Sequence, residues 1–188
     1  MALRILGISG SLRRGSHNAN LLRAAAELLP PGVELEVFDG LRELPPYDAD
    51  RDVQPADPAV ALLREAIAST DGVLIATPEF NGSVPGVLKN ALDWASRPFP
   101  DSALRGKPVA VIGASTGLFG AVWAQAETRK VLGIIGADVI EHELPVGQAE
   151  TAFSEGGGLV DVEQQAVLSD LVHVLAARAG AEEARAAA

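Results

Sequence analysis

Residues 72–95 read GVLIATPEFNGSVPGVLKNALDWA and combine an apolar run, a polar loop and an amphipathic segment. The run at residues 72–76 is continuous and apolar, which is typical of a strand buried on both faces of a parallel sheet. Ser83 is predicted to cap the following helix and Pro85 to lie in its first turn. The apolar positions of that helix recur at helical spacing: Val84, Val87, Leu88, Ala91, Leu92 and Ala95.

The same alternation of strand-like and helix-like segments extends to both sides of this stretch. Strands are predicted at residues 3–8, 35–38, 72–76, 109–113 and from 139 to about 145. Helices are predicted around residues 22–29, 59–67, 84–95, 119–126 and 167–175. Such alternation favours a parallel sheet with right-handed crossovers. We therefore expect an α/β fold, a flavodoxin-like three-layer sandwich whose five-stranded parallel sheet has the order 2-1-3-4-5 and helices on both faces.

Length and composition limit the possible functions. The chain has 188 residues, which fits one domain over residues 1–178 followed by a frayed Ala-rich tail over residues 179–188. Cysteine is absent, which excludes disulfides, thiolate catalysis and Cys-based metal sites. The net charge of −10 argues against nucleic-acid binding through phosphate contacts. We find no apolar run of membrane-spanning length and no leader, so we expect a cytoplasmic protein without a membrane partner.

Three loops are expected to form one site. Open α/β sheets bind ligands outside the carboxyl ends of their strands, where the strand order reverses. For the order 2-1-3-4-5 this point lies beside strands 1 and 3. The loops at residues 9–18, 77–83 and 113–120 follow strands 1, 3 and 4, and their convergence predicts a single cofactor site.

The first loop reads SGSLRRGSHN over residues 9–18 and leads into a predicted helix N-terminus. Hydroxyls, an amide and an arginine beside unpaired backbone N–H groups suit a terminal phosphate. Helix capping by Ser16 or Asn18 would explain only part of this set. The loop matches neither the dinucleotide fingerprint nor the Walker A motif, so we expect the phosphate of a mononucleotide.

The second and third loops have features expected around a flat ring. In the second loop, Asn81 and backbone groups can hydrogen-bond the edge of a heterocycle, and Gly82 permits close approach. A tight strand-to-helix connection is an equally good interpretation of that loop taken alone. The third loop reads GASTGLFG over residues 113–120 and is again small and rich in hydroxyls.

The chain resembles the NADPH-dependent FMN reductases, a family of flavodoxin-like fold that includes chromate, quinone and azo-dye reductases. The resemblance covers residues 3 to about 175 and rests on GSLRRGSHN at residues 10–18, PEFNGSVPGVLKNALDW at residues 78–94 and GAS at residues 113–115. It implies that FMN is the cofactor and NADPH or NADH the co-substrate. The FMN-binding residues that it implies are Ser11, Arg13, Ser16 and Asn18 at the phosphate, Pro78, Glu79, Phe80, Asn81 and Gly82 beside the ring, and Ser115, Thr116 and Gly117 in the third loop.

The resemblance also implies a reaction. Hydride passes from NAD(P)H to bound FMN and then, by a ping-pong scheme, to a quinone, an azo compound, a flavin or an oxidised metal anion. No catalytic side chain and no metal is implied, and the subunits are expected to form a homodimer or homotetramer. Two alternatives stay open: an FMN-carrying electron-transfer protein without NAD(P)H turnover, and a nucleotide-sensing module. The aromatic content of 4% favours the reductase, because electron carriers usually sandwich the ring between aromatic side chains.

Several residues have no assigned role. Many relatives carry a Gly-Gly-x-Arg stretch after the third loop, whereas this chain has Trp123 at the arginine position, so subunit contacts and dinucleotide binding there stay open. Trp94 and Trp123 can each pack in the core or at a subunit interface. The histidines lack metal-ligand spacing, and a surface or loop position is expected for each: His17, His142 and His173.

Overall fold

A parallel sheet with helices on both faces forms the framework of the computed structural model, which describes residues 2–186, with side chains described through residue 182. The strands are β1 (Leu3–Ser9), β2 (Val33–Phe38), β3 (Gly72–Thr77), β4 (Pro108–Ala114), β5 (Asp138–Val139) and β6 (Pro145–Val146). The α-helices are α1 (His17–Ala26), α2 (Pro58–Ala68), α3 (Gly86–Ala95), α4 (Val122–Ile135) and α5 (Val162–Ala186). No helix among these described residues is both long and apolar enough to cross a bilayer.

The strand order is β2-β1-β3-β4-β5, which confirms the predicted topology. The fifth position of the sheet is divided, because β5 pairs with the start of β4 and β6 pairs with its end. A single strand from 139 to about 145 was the expectation. The intervening residues Glu141, His142 and Glu143 are exposed and polar, so the chain leaves the sheet between the two short strands.

Two hydrophobic cores lie on opposite faces of the sheet. Successive residues of β3 alternate between them: Leu74 packs with α1 and α5, whereas Val73 and Ile75 pack with α2, α3 and α4. All residues of β3 and β4 are buried, as expected for central strands covered on both sides. Because these strands are packed on both faces, their carboxyl ends have fixed positions in the sheet. The loops that follow these ends are therefore fixed in position as well.

The helix α3 begins later than predicted. Asn81 and Gly82 both have positive φ, 56° and 72°, and Phe80 and Ser83 exchange backbone hydrogen bonds. This is the geometry of a type I′ turn, which an Asn-Gly pair favours. Because of this turn, Ser83 does not cap the helix, and Pro85 takes the N-cap position instead of the first turn.

The helix α4 also begins later than predicted. It starts at Val122 and leaves Phe119 in the preceding loop. Gly120 and Ala121 have φ values of 57° and 62°, which belong to the left-handed region. A right-handed helix cannot continue backward through these two residues.

The loop at residues 39–58 packs against α3. The Nε1–H of Trp94 donates to the carbonyl of Pro45 at 2.8 Å, and the N–H of Tyr47 donates to the Asn90 side chain at 2.7 Å. Trp94 is buried and therefore belongs to the core, whereas Trp123 is 52% exposed. The loop is thus anchored to the helix that follows the second predicted site loop.

The last helix runs beyond the predicted end of the domain at residue 178. Leu171, Leu175 and Ala179 recur every four residues on one face and are fully buried. The helix α5 extends through Ala186, so residues 179–186 are helical where a frayed tail was predicted. Residues 187 and 188 of that tail lie outside the described residues.

Candidate functional site

The three predicted loops meet in one cavity of about 150 Å³ at the carboxyl ends of β1, β3 and β4. Its walls come from Ser11, Arg13, Ser16, His17, Asn18, Pro78, Glu79, Phe80, Ala114, Ser115 and Thr116. The predicted residues that do not line it are Asn81, Gly82 and Gly117. The structure adds His17, a residue of the first loop for which only a surface or loop position was expected.

The first loop is held close to the second. The N–H of Gly10 donates to the carbonyl of Ala76 at the end of β3, at 2.8 Å. A Cβ atom at Gly10 would lie 3.1 Å from the Leu88 side chain and 3.2 Å from the Pro78 ring, so a larger residue would require these side chains to shift by a few tenths of an ångström. Glycine at this position therefore brings the phosphate-type loop against the second loop.

The N-terminus of α1 forms one wall of the cavity. Ser16 is buried and caps the helix, because its Oγ accepts from the N–H of Ala19 at 3.3 Å. The N–H groups of the next two residues, His17 and Asn18, have no helical carbonyl four positions earlier. Unpaired N–H groups at the positive end of a helix dipole favour an anionic ligand.

Arg13 folds back over its own loop. Its Nη2 lies 3.3 Å from the carbonyl of Gly15 and 3.2 Å from Nε2 of His17, and its backbone N–H lies 3.4 Å from Oγ of Ser11. Of the described residues that line the cavity, Arg13 alone carries a permanent positive charge. The side chain is exposed, so it can turn toward a ligand without losing a buried contact.

Asn18 links the first loop to the third. Its Nδ2 donates to the carbonyl of Ala114 at 2.9 Å, and its Oδ1 accepts from the N–H of Ala114 at 3.0 Å. The amide is 2% exposed and both of its polar atoms are engaged at the end of β4. Its side chain therefore positions the cavity walls, and its backbone N–H is the group left for a ligand.

The second loop is fastened to α4 by two glutamates. Oε2 of Glu79 accepts from the N–H of Ala124 at 3.0 Å, in the first turn of α4. Oε2 of Glu127 accepts from Oγ of Ser83 at 2.6 Å and from the N–H of Val84 at 3.2 Å. The hydrogen bond from Ser83 and then that from Val84 lower the pKa of Glu127. The turn between these fastenings carries Phe80, 59% exposed, at the cavity rim.

The third loop packs against residues 145–149. The N–H of Ser115 donates to the carbonyl of Val146 at 3.0 Å, and the carbonyl of Gly117 accepts from the N–H of Gln148 at 3.0 Å. A Cβ at Gly147 would lie 2.3 Å from the carbonyl oxygen of Leu118, so this segment requires glycine. Sequence reasoning missed the supporting segment, because its partner loop is close only in the folded chain.

A larger groove, of about 900 Å³, lies between β2 and α2 and away from the three loops. Its lining is mainly apolar with a rim of acidic residues, and its arginine, Arg4, is paired with Glu36 at 3.0 Å. An anionic cofactor would be repelled there. The smaller cavity is the better candidate because it combines hydroxyls, an arginine and a helix N-terminus.

We expect replacement of Asn18 by Ala to destabilise the fold. The N–H and carbonyl of Ala114 would lose their buried partners, which lowers the free energy of unfolding by about 2–4 kcal/mol. Urea denaturation measures this change. Asn20→Ala, on the same helix, is the matched control and should change the free energy by no more than about 0.5 kcal/mol. Equal unfolding midpoints for the two variants would contradict the positioning role.

We expect Glu127→Ala to loosen the second loop. Loss of the acceptor should speed hydrogen exchange at the N–H of Val84 roughly tenfold at pH 7. Since the pKa of Glu127 is lowered, its ionised contact is present at neutral pH and is lost as the pH falls through that lowered value. The difference between wild type and variant should therefore shrink in acid. Glu65 is an exposed glutamate on α2, so Glu65→Ala is the control. If Glu127→Ala speeds hydrogen exchange at Val84 no more than Glu65→Ala does, Glu127 does not hold the second loop.

Comparisons with known proteins identify the family of this chain. Residues 3–151 match the model of the family described as NADPH-dependent FMN reductase. An NAD(P)H-dependent FMN reductase of Pseudomonas aeruginosa is 41% identical over 174 residues, which cover 92% of this chain and 93% of that protein. A 2-hydroxy-1,4-benzoquinone reductase of a Burkholderia species is 39% identical over 178 residues, covering 94% and 96% of the two chains.

A solved structure shows the same similarity in three dimensions. The flavoenzyme NAD(P)H:(acceptor) oxidoreductase FerB of Paracoccus denitrificans superposes with a TM-score of 0.82 at 33% identity, covering 95% of this chain and 97% of that one. The predicted family, the flavodoxin-like fold, the FMN cofactor with NAD(P)H and the oxidoreductase activity are confirmed. The chain therefore belongs to the NADPH-dependent FMN reductase family of flavin oxidoreductases.

Proposed function

We propose that this reductase binds FMN at the three-loop cavity and uses it to pass electrons from NAD(P)H to small quinone-type acceptors. The observation that carries the proposal is the meeting of Ser11, Arg13 and Ser16 with the N-terminus of α1 in one cavity. Hydroxyls, a guanidinium and free N–H groups are the donors that a phosphate monoester needs.

The size of the cavity supports separate places for the phosphate and for the ring of FMN. At about 150 Å³ it is smaller than the roughly 300–1,000 Å³ typical of small-molecule pockets, so it suits the phosphate end of a mononucleotide. We assign the ring to the open rim, where Pro78, Glu79, Phe80, Asn81 and Gly82 form the second loop. Ser115, Thr116 and Gly117 complete the opposite side.

FMN, when bound, supplies the hydride chemistry that no side chain of this site can provide. The chain's own residues bind and orient it. Arg13 and the two serines neutralise and hydrogen-bond the phosphate, while Asn18 keeps the first and third loops at a fixed distance. Backbone groups of the second loop, held by Glu79 and Glu127, fix the ring's position. No general acid or base is assigned.

The exposed position proposed for the flavin ring favours one binding place that NAD(P)H and the acceptor use in turn. The turn at residues 80–83 leaves the rim open to solvent, so NAD(P)H and the oxidised acceptor can occupy the same side in succession. This supports the ping-pong order. Quinones are the favoured acceptor class because a similar protein is named a 2-hydroxy-1,4-benzoquinone reductase. The need for reduced pyridine nucleotide supports a cytoplasmic location.

An exposed aromatic pair supports a homodimer or homotetramer. Phe119 and Trp123 have ring centroids 5.1 Å apart and are 60% and 52% exposed, beside Leu118 at 71%. Apolar surface of this kind marks contact sites. We therefore assign Trp123 to a subunit contact, in place of the arginine that many relatives carry.

The visible spectrum of the purified protein tests the function. We expect a flavin spectrum that bleaches on anaerobic addition of NADPH and recovers when a quinone is added. Flavin that does not bleach would favour the electron carrier without NAD(P)H turnover. A protein that stays colourless after incubation with FMN would overturn the cofactor assignment.

We expect Arg13→Ala to weaken FMN binding roughly 10- to 100-fold, because a charge-assisted phosphate contact is lost. Quenching of flavin fluorescence on titration of flavin-free protein measures the dissociation constant. Riboflavin, which lacks the phosphate, should bind wild type and variant equally. Arg51→Ala is the matched control, since Arg51 is exposed and lines neither of the two cavities at the first loop. An unchanged FMN dissociation constant in Arg13→Ala would refute the phosphate placement.

A further inference from the structure

His17 lies at the proposed phosphate position without a role in the function described so far. It is the first residue of α1, is partly buried and lines the same cavity as Ser11, Arg13 and Ser16. A surface or loop histidine was the expectation from the sequence. Its location in the wall of the cavity gives it direct access to an anion bound there.

His17 contacts a cation and an aromatic ring. Its Nε2 lies 3.2 Å from Nη2 of Arg13. A guanidinium has no acceptor, so in this contact Nε2 accepts from Arg13. The imidazole plane is held on one side by Phe153, whose ring lies 6.3 Å away between centroids and within 6° of parallel.

Two positive groups lie beside the imidazole in this arrangement. One is the Arg13 guanidinium, and the other is the positive end of the α1 dipole, which disfavours a cation in the first turn. A phosphate placed in the cavity would reverse both effects. It would draw Arg13 away from Nε2 and would put two negative charges beside the ring, which favours the protonated form.

We propose that His17 is a second cationic ligand of the FMN phosphate and that cofactor binding takes up a proton on its Nε2. This inference rests on the proposed placement of the phosphate at the first loop. In the bound state Nε2–H donates to a phosphate oxygen, and the proton comes from solvent. FMN affinity then depends on pH through His17, whereas riboflavin affinity does not.

The other groups around the ring do not supply this linkage. Arg13 stays charged at all relevant pH values, and the Glu79 carboxylate that also lines the cavity is hydrogen-bonded to the N–H of Ala124. The segment on the far side of the ring presents the aromatic face of Phe153. The phosphate itself loses affinity in acid as it gains a proton near pH 6, which is opposite in sign to the His17 effect.

The test compares wild type with His17→Phe, which keeps a ring against Phe153 and removes the titrating nitrogen. FMN and riboflavin dissociation constants are measured by fluorescence quenching from pH 5.5 to 8.5. Near pH 6 we expect His17→Phe to bind FMN about three- to tenfold more weakly, with riboflavin unchanged. At pH 8.5 the FMN difference should vanish. Because both proteins meet the same phosphate titration, its effect cancels in the comparison.

Calorimetry provides a second readout. FMN binding near pH 7, measured in buffers of different ionisation enthalpy, should show proton uptake in wild type that is reduced in His17→Phe. His17→Gln, a smaller polar replacement, should behave like His17→Phe and covers the case in which the phenyl ring disturbs folding.

The outcomes separate this proposal from the one on which it depends. If the ratio of FMN to riboflavin dissociation constants is the same in wild type and both His17 variants at every pH, the His17 role is wrong. If Arg13→Ala also leaves that ratio unchanged, the phosphate placement itself fails. Weakening by Arg13→Ala alone would leave the reductase site in place and reject only the histidine ligand.

Discussion

The paired hydrogen bonds between the Asn18 amide and the backbone of Ala114 are the constraint on which the site depends. They join the first turn of α1 to the last residue of β4, across a separation of 96 residues in the chain. Both partners are buried, so water cannot replace the bonds at low cost. Through this link the first and third loops are held together in the wall of one cavity. The second loop is held separately: Glu79 of the loop accepts from Ala124 of α4, and Glu127 of α4 accepts from Ser83 of the loop.

The acidic chain places positive charge at the candidate site. The chain as a whole carries −10, and the groove between β2 and α2 has an acidic rim. Against this background, the local positive field comes from Arg13 and from the N-terminus of α1. Such a local field favours a compact anionic group over an extended polyanion, which agrees with a mononucleotide phosphate. Selectivity for FMN over nucleic acid therefore needs no separate device.

Hydrophobic periodicity and the alternation of strand-like and helix-like segments made most of the fold predictable. Buried apolar runs such as residues 72–76 admit few other interpretations. Helix starts that depend on residues with positive φ were harder to predict from the sequence. The helices α3 and α4 begin later than predicted because residues 81–82 and 120–121, which have positive φ, form turns before them. Of these two turns, only the one at the Asn-Gly pair is indicated by the sequence. In the site, residue types identified the three loops. They could not reveal that the Asn18 amide is consumed by Ala114, or that His17 contacts Arg13, because both contacts depend on how the side chains are oriented in the folded chain.

The division of the fifth strand into β5 and β6 has a consequence for how molecules of this protein meet one another. Exposed strand edges are templates for intermolecular pairing and aggregation. Here one edge of the sheet is reduced to two pieces of two residues each, separated by an exposed acidic segment. The opposite edge, β2, carries Glu34, an exposed charge that disfavours pairing with a like strand. Both rims of the sheet thus resist strand addition. Contact between copies of this chain through the backbone of its sheet edges is therefore disfavoured relative to contact through side chains of helices and loops.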